Sequence, residues 1–259
     1  MSPFELSQDA ILLFVQQYLF VLTRIAAMFM VMPIIGSNLV TARVKVALAV
    51  AVTVIVVPIL PAIKPVTEFT LQTILVLFQE MLLGVIVGFV FQVVFQVFVI
   101  AGQIIAMQMG LGFASMNDPV NGANTTALSQ FYTLLITLMF VSVNGHLVLL
   151  TLLVESFTVF VPGEFTLSAS QLMAIAQLGT WLFSASLLMA LPVMTSLLFV
   201  NMAFGIMSRA APQLNIFSLG FPFTLVCGLA LIWFGLFSFV EKFDDVMTYG
   251  FLFVHDFLE

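Results

Sequence analysis

The chain has 259 residues, of which 63% are hydrophobic and only 7% charged, with a formal net charge of −6 and a mean hydropathy of +1.25. Soluble domains carry about 25% charged residues, so this composition excludes a water-covered surface and leaves lipid, or protein equally poor in charge, as the solvent. Six Lys and Arg in the whole chain count against a nucleic-acid partner, and a single cysteine, Cys227, excludes an intrachain disulfide and reads as a small buried hydrophobe.

The first residues carry Glu5 and Asp9 and no basic residue, unlike a cleavable signal peptide, so the first apolar run is expected to stay in the mature protein. A membrane-spanning helix needs about 20 mainly apolar residues. Ile11 to Ile35 supplies one, closed by Pro33 and Gly36. Val44 to Leu60 supplies a shorter second, closed by Pro58, Pro61 and Pro65. Leu71 to Met109 is unbroken and too long for one straight crossing. A fourth run covers Ala127 to Phe160, interrupted at Asn144-Gly145-His146. The fifth, Leu172 to Met207, holds Pro192, which is expected to kink it. The sixth spans Leu219 to Val240, and an acidic, aromatic tail from Glu241 to Glu259 reads as a separate short amphipathic helix. The fold class is therefore all-α, with long kinked or broken helices. With no internal repeat and no low-complexity linker, the chain reads as one domain. Arg43, Lys45 and Arg209 fall on one side of six crossings and point it to the cytoplasm. Lys64 and Lys242 oppose that orientation.

Polar residues inside such a background mark candidate sites. Arg24 lies near the middle of the first run, where insertion costs about 2.5–3.5 kcal/mol. Two readings stand: a role in a conduit or between subunits, or a structural pairing with Glu80 or Glu155. Gln92, Gln96 and Gln103 fall within roughly 40° of one another on a helix, beside Gly84 and Gly88, which are spaced as a helix-contact pattern. That face suits close packing with side-chain hydrogen bonds, or a wet lumen. The segment Met107 to Pro119 combines Met107, Met109 and Met116 with Gly110, Gly112 and Phe113, and its only charge is Asp118. Methionine re-packs readily and Asn117-Asp118-Pro119 reads as a turn. Such a loop is either an ordinary connection or a deformable seal folded into a cavity. No nucleotide, metal or catalytic motif occurs, and His146 and His255 lack a second ligand at metal spacing. Neither a cofactor nor an enzymatic activity is expected.

Three stretches carry a family resemblance. Arg24-Ile25-Ala26-Ala27, Pro33 and Val40-Thr41-Ala42-Arg43-Val44-Lys45 resemble the opening of the FliR family of flagellar biosynthetic proteins. Gly110-Leu111-Gly112-Phe113-Ala114-Ser115 through Asp118-Pro119 is similar to that family's central loop. Arg209-Ala210-Ala211-Pro212-Gln213-Leu214-Asn215-Ile216-Phe217, then Gly220-Phe221-Pro222, resembles its signature most closely. The resemblance implies a structural subunit of the type III protein export gate in the bacterial inner membrane and flagellar basal body, with part of the assembly on the periplasmic side. It implies FliP, FliQ and FlhB as partners, unfolded flagellar proteins as cargo, and no enzymatic role. It also implies a FliP-like part, about residues 1–165, holding a plug at about 107–121, and a FliQ-like hairpin and tail, about 166–259. Arg209, Pro212, Gln213 and Asn215 would lie at the hairpin tip. A virulence injectisome subunit would share the fold and mechanism but export a different set of substrates, and a secondary transporter is disfavoured by the single mid-span charge and the missing repeat.

Overall fold

The computed structural model describes residues 8–37, 39–60, 71–111, 126–163, 167–210 and 216–258. Every regular element among them is helical: α1 (Gln8–Val31), α2 (Ala42–Val56) continued by a 3₁₀ turn (Val57–Ile59), α3 (Leu71–Gln108), α4 (Ala127–Ser142), α5 (Gly145–Val159), α6 (Ala169–Ala210) and α7 (Ile216–Leu258). Five helices are long and apolar enough to cross a membrane, or six spans if the bent pair α4 and α5 counts as one.

Local chemistry sets the boundaries. After α1 the chain turns through Pro33 and Ile34, the latter at φ 73°, and Lys45 reaches back to donate to the Gly36 carbonyl at 2.9 Å. The break at Asn144 is a left-handed residue (φ 56°, ψ 28°), a conformation asparagine tolerates better than most, and α5 leaves α4 there at 68°. Hydroxyls within the apolar helices satisfy themselves by donating to a carbonyl one turn back, as at Thr53 to Ala49 (2.7 Å), Thr133 to Ser129 (2.8 Å) and Ser186 to Leu182 (2.6 Å). Helix α6 runs through Pro192 without ending; the hydroxyl of Ser196 donates to the Pro192 carbonyl at 2.8 Å.

The tail differs from expectation. Instead of a separate helix after Val240, α7 continues unbroken to Leu258. Phe239, Phe243, Met247, Val254 and Phe257 are all buried, and their spacings of three, four and seven residues extend one apolar stripe past the acidic residues. No helix breaker separates Phe239 from Met247, so the stripe and the helix continue together.

The packing forms two compact units, each assembled from separated stretches of chain. The first comprises Met1–Gln92, Val141–Ile175 and Gly250–Glu259. Its interior holds Phe20, Ile25, Met28 and Phe29 of α1, and a cluster of Leu83, Ile86 and Phe257 with Phe160, Ile175 and Phe253 around it. The second comprises Val93–Phe140 and Ala176–Tyr249. It is built on aromatic pairs, with Phe95 edge-on to Phe140 at 5.4 Å, and Phe98 and Tyr132 both against Phe239 at 5.5 and 5.3 Å. Apolar side chains also dominate the outside: Phe199 is 72% exposed, Trp233 68% and Phe237 81%. Surfaces of this kind need lipid or apolar partners.

Candidate functional site

Four residues of α1 and α3 organise the first unit's polar centre. Gly84 and Gly88 bring α3 onto α1: a Cβ at Gly84 would collide with the Arg24 carbonyl oxygen and lie 2.9 Å from the Ala27 Cβ. One at Gly88 would lie 2.9 Å from the Met28 carbonyl oxygen. This close approach, the small-residue contact of membrane helices, sets Arg24 opposite Glu80. Both side chains are fully buried. Arg24 Nε donates to Glu80 Oε2 at 2.7 Å and Nη2 donates to Oε1 at 3.0 Å, the two-pronged geometry that suits guanidinium and carboxylate.

The remaining donors reach the end of α5. Arg24 Nη1 donates to the Ser156 carbonyl (2.8 Å) and to its Oγ (3.0 Å), and Nη2 donates to the Phe160 carbonyl (2.8 Å). All five guanidinium N–H groups thus have acceptors. The Ser156 hydroxyl donates its own hydrogen bond to the Leu153 carbonyl at 2.6 Å, and the guanidinium carbon sits 4.0 Å from the Phe157 ring centre. A cation here also complements the negative end of the α5 dipole. One arginine therefore ties three helices. Glu155, the other carboxylate considered for it, is exposed.

At its other end α3 stops on a glycine. Leu111 N–H donates to the Ala106 carbonyl (2.9 Å) and Gly110 N–H to the Met107 carbonyl (3.0 Å), with Gly110 at φ 83°. That pairing is the Schellman stop, whose left-handed position glycine fills without strain. Met109 is buried at 1% exposure, whereas Met107 is 69% exposed. A Cβ on Gly228 of α7 would lie 2.5–2.8 Å from Met109 side-chain atoms, so the bare glycine is what lets this methionine in. An apolar cavity of about 430 Å³ adjoins it, lined by Met109 and Leu111, Leu128 and Phe131, and Leu229 and Trp233 among others.

The other sequence candidates are distributed differently. Gln92 is exposed, and Gln96 and Gln103 are half-buried; none of the three side chains makes a hydrogen bond among the described residues. The glycine part of that α3 face packs closely, while the glutamine part makes no side-chain hydrogen bond among the described residues. Arg209 is exposed in the last turn of α6. Gly112, Phe113, Met116 and Asp118 of the loop, and Pro212, Gln213 and Asn215 after α6, lie outside the described residues.

Residues 15–249 match the family model described as bacterial export proteins, family 1. The flagellar biosynthetic protein FliR of Escherichia coli (strain K12) is 37% identical over 215 residues, covering 83% of this chain and 82% of that protein. FliR of Pectobacterium carotovorum subsp. carotovorum is 35% identical over the same shares. FliR of Bacillus subtilis (strain 168) is 30% identical, covering 83% of this chain and 84% of its own. This chain belongs to the FliR family of bacterial export proteins. The FliR-family match takes in Arg24, Glu80, Ser156 and the α3 stop at Gly110, so both polar centre and loop root belong to the shared part. Sequence reasoning missed Ser156, Phe157 and Phe160, because backbone carbonyls and an aromatic face carry no sequence signature; only the lone arginine advertised that acceptors must exist.

Proposed function

We propose that this chain is a structural subunit of the flagellar export apparatus in the bacterial inner membrane, and that the segment from Met107 to Asn121 plugs the export conduit at rest. The observation that carries the first half is the family match over residues 15–249, with relatives named as flagellar biosynthetic proteins. In this reading the chain assembles with FliP and FliQ, is joined by FlhB, and stands partly on the periplasmic side. It performs no chemistry of its own on the unfolded cargo. Its charge-poor outer face, with Phe199 and Phe237 mostly exposed, suits burial against such partners as well as lipid.

Physical requirements support the plug. A conduit for unfolded chains must exclude ions when idle and yield when cargo arrives, so its seal must be apolar and compliant. Methionine and phenylalanine on a glycine-rich segment meet both needs. The root of the segment is firm, with Met109 buried and Gly110 closing α3. The exposed Met107, with Gly112, Phe113, Met116 and Asp118 beyond the root, forms the working surface. Arg209, Pro212, Gln213 and Asn215 form a contact surface at the tip between α6 and α7, and Gln92, Gln96 and Gln103 offer hydrogen bonds to neighbouring subunits.

Co-expression with FliP and FliQ, capture through a tag on this chain and native mass spectrometry test the assembly. A discrete complex of all three is expected, and a chain isolated alone and monodisperse refutes it. Deleting Gly110–Ser115 tests the plug. Assembly persists while the membrane becomes permeable to ions and small solutes; unchanged conductance in an assembled complex defeats the assignment.

A further inference from the structure

We propose that the groove between α1 and α2 seats one acyl chain of an anionic phospholipid whose phosphate is held by Arg43. The groove lies within the first compact unit, has a volume of about 280 Å³, and is walled by Phe14, Tyr18 and Leu22 of α1 and Val50 and Val54 of α2. Its surface is almost wholly apolar. The hydroxyl of Thr53, which also borders it, is already committed to the Ala49 carbonyl at 2.7 Å. Phe14 and Tyr18 stand together on one wall, ring centres 4.5 Å apart.

Helical geometry aligns a cation with this groove. Val50 and Val54 follow Arg43 by seven and eleven residues, which at about 100° per residue puts all three within roughly 20° of one line along α2. At 1.5 Å per residue, Arg43 sits about 10 Å beyond Val50 and about 16 Å beyond Val54. Half of a bilayer's hydrocarbon thickness is about 15 Å and the headgroup layer adds about 5 Å, so a chain whose phosphate is held at Arg43 is long enough to run past both Val50 and Val54. Arg43 is exposed and makes no hydrogen bond or ion pair among the described residues. Lys45 faces another direction and donates to the Gly36 carbonyl. No Asp or Glu occurs between Asp9, in the first turn of α1, and Glu68, so the end of the hairpin that carries Arg43 has only positive side chains and complements an anionic headgroup. The inference rests on α1 and α2 lying in lipid, for which both are long and apolar enough. It is independent of the plug.

The full chain, purified in mild detergent, is titrated with dioleoyl phosphatidylglycerol or dioleoyl phosphatidylcholine, and retained lipid is counted by native mass spectrometry. Wild type is expected to retain the anionic phosphatidylglycerol preferentially. Arg43→Gln weakens that preference about fivefold, Arg43→Lys restores most of it, and Val50→Trp, which fills the groove, abolishes retention of both lipids. Arg43 is exposed, so its variants keep the fold whether or not Val50→Trp does. Equal retention of the two lipids by wild type, or full retention by Arg43→Gln, overturns the proposal. So does a photoreactive label on Val54→Cys, placed in a Cys227→Ser background, that joins to a partner protein rather than to lipid in the assembled complex.

Discussion

Removing the Arg24 side chain tests the organisation of the first unit. In Arg24→Met the stem volume is roughly kept, but Glu80 loses both hydrogen bonds and its countercharge, and the Ser156 and Phe160 carbonyls lose a donor. Breaking a buried pair from one side costs about 3–5 kcal/mol, because a charge is left without compensation. For a chain of this size each kcal/mol lowers Tm by about 2–4 °C, so a drop of about 12 °C is expected. The Glu80→Met variant strands the arginine instead and should fall by a similar amount. The double variant Arg24→Met/Glu80→Met removes both charges and leaves only the α5 carbonyls short of a donor. A lost partner of that kind costs about 1–3 kcal/mol, so the double variant should be more stable than either single one. Thermal unfolding of the detergent-solubilised chain, followed by circular dichroism and size-exclusion recovery, measures all four proteins. A single variant within about 2 °C of wild type, or a double variant as unstable as the worse single, refutes the reasoning.

Gly84→Leu forces α3 away from the Arg24 carbonyl and Ala27 and should destabilise by about 1–3 kcal/mol, read in the same melt. Gly205→Leu is its control: among the described residues, no atom beyond its own helix turn and chain neighbours lies within 4 Å of a Cβ there, so the isolated chain should melt within about 2 °C of wild type. Gly110→Ala places a Cβ on a residue at φ 83° and 2.9 Å from the Phe221 ring; a loss of about 1 kcal/mol is expected, with local amide exchange at the end of α3 rising first. Gly228→Leu takes the space of Met109, and, with Cys227 replaced by Ser throughout, a thiol probe on Met109→Cys should label faster with Gly228→Leu than with Gly228 kept.

The class of the protein is legible in composition, since 7% charge leaves no way to cover a soluble surface. Helix limits are legible too where the chain carries its own punctuation. Pro33, Asn144 and Gly110 each stand where α1, α4 and α3 end, because their backbone preferences act locally. The tail shows the limit of that logic. Acidic residues after Val240 look like a boundary, yet Phe243, Met247 and Phe257 find burial, and long-range packing carries α7 onward.

Arg24 divides the two sources of information most clearly. Its position in an apolar run demanded a partner from sequence alone, because an unpaired charge there is too costly, and Glu80 and Glu155 were equally available as letters. Choosing between them took the tertiary structure. Gly84 and Gly88 let α3 approach α1 closely enough for Glu80 to meet the guanidinium, while Glu155 faces outward and its neighbour Ser156 supplies acceptors instead. Composition and pattern determine that buried charges must be satisfied; which groups satisfy them depends on residues brought together from 56 to 136 positions apart, and only the packed helices decide that.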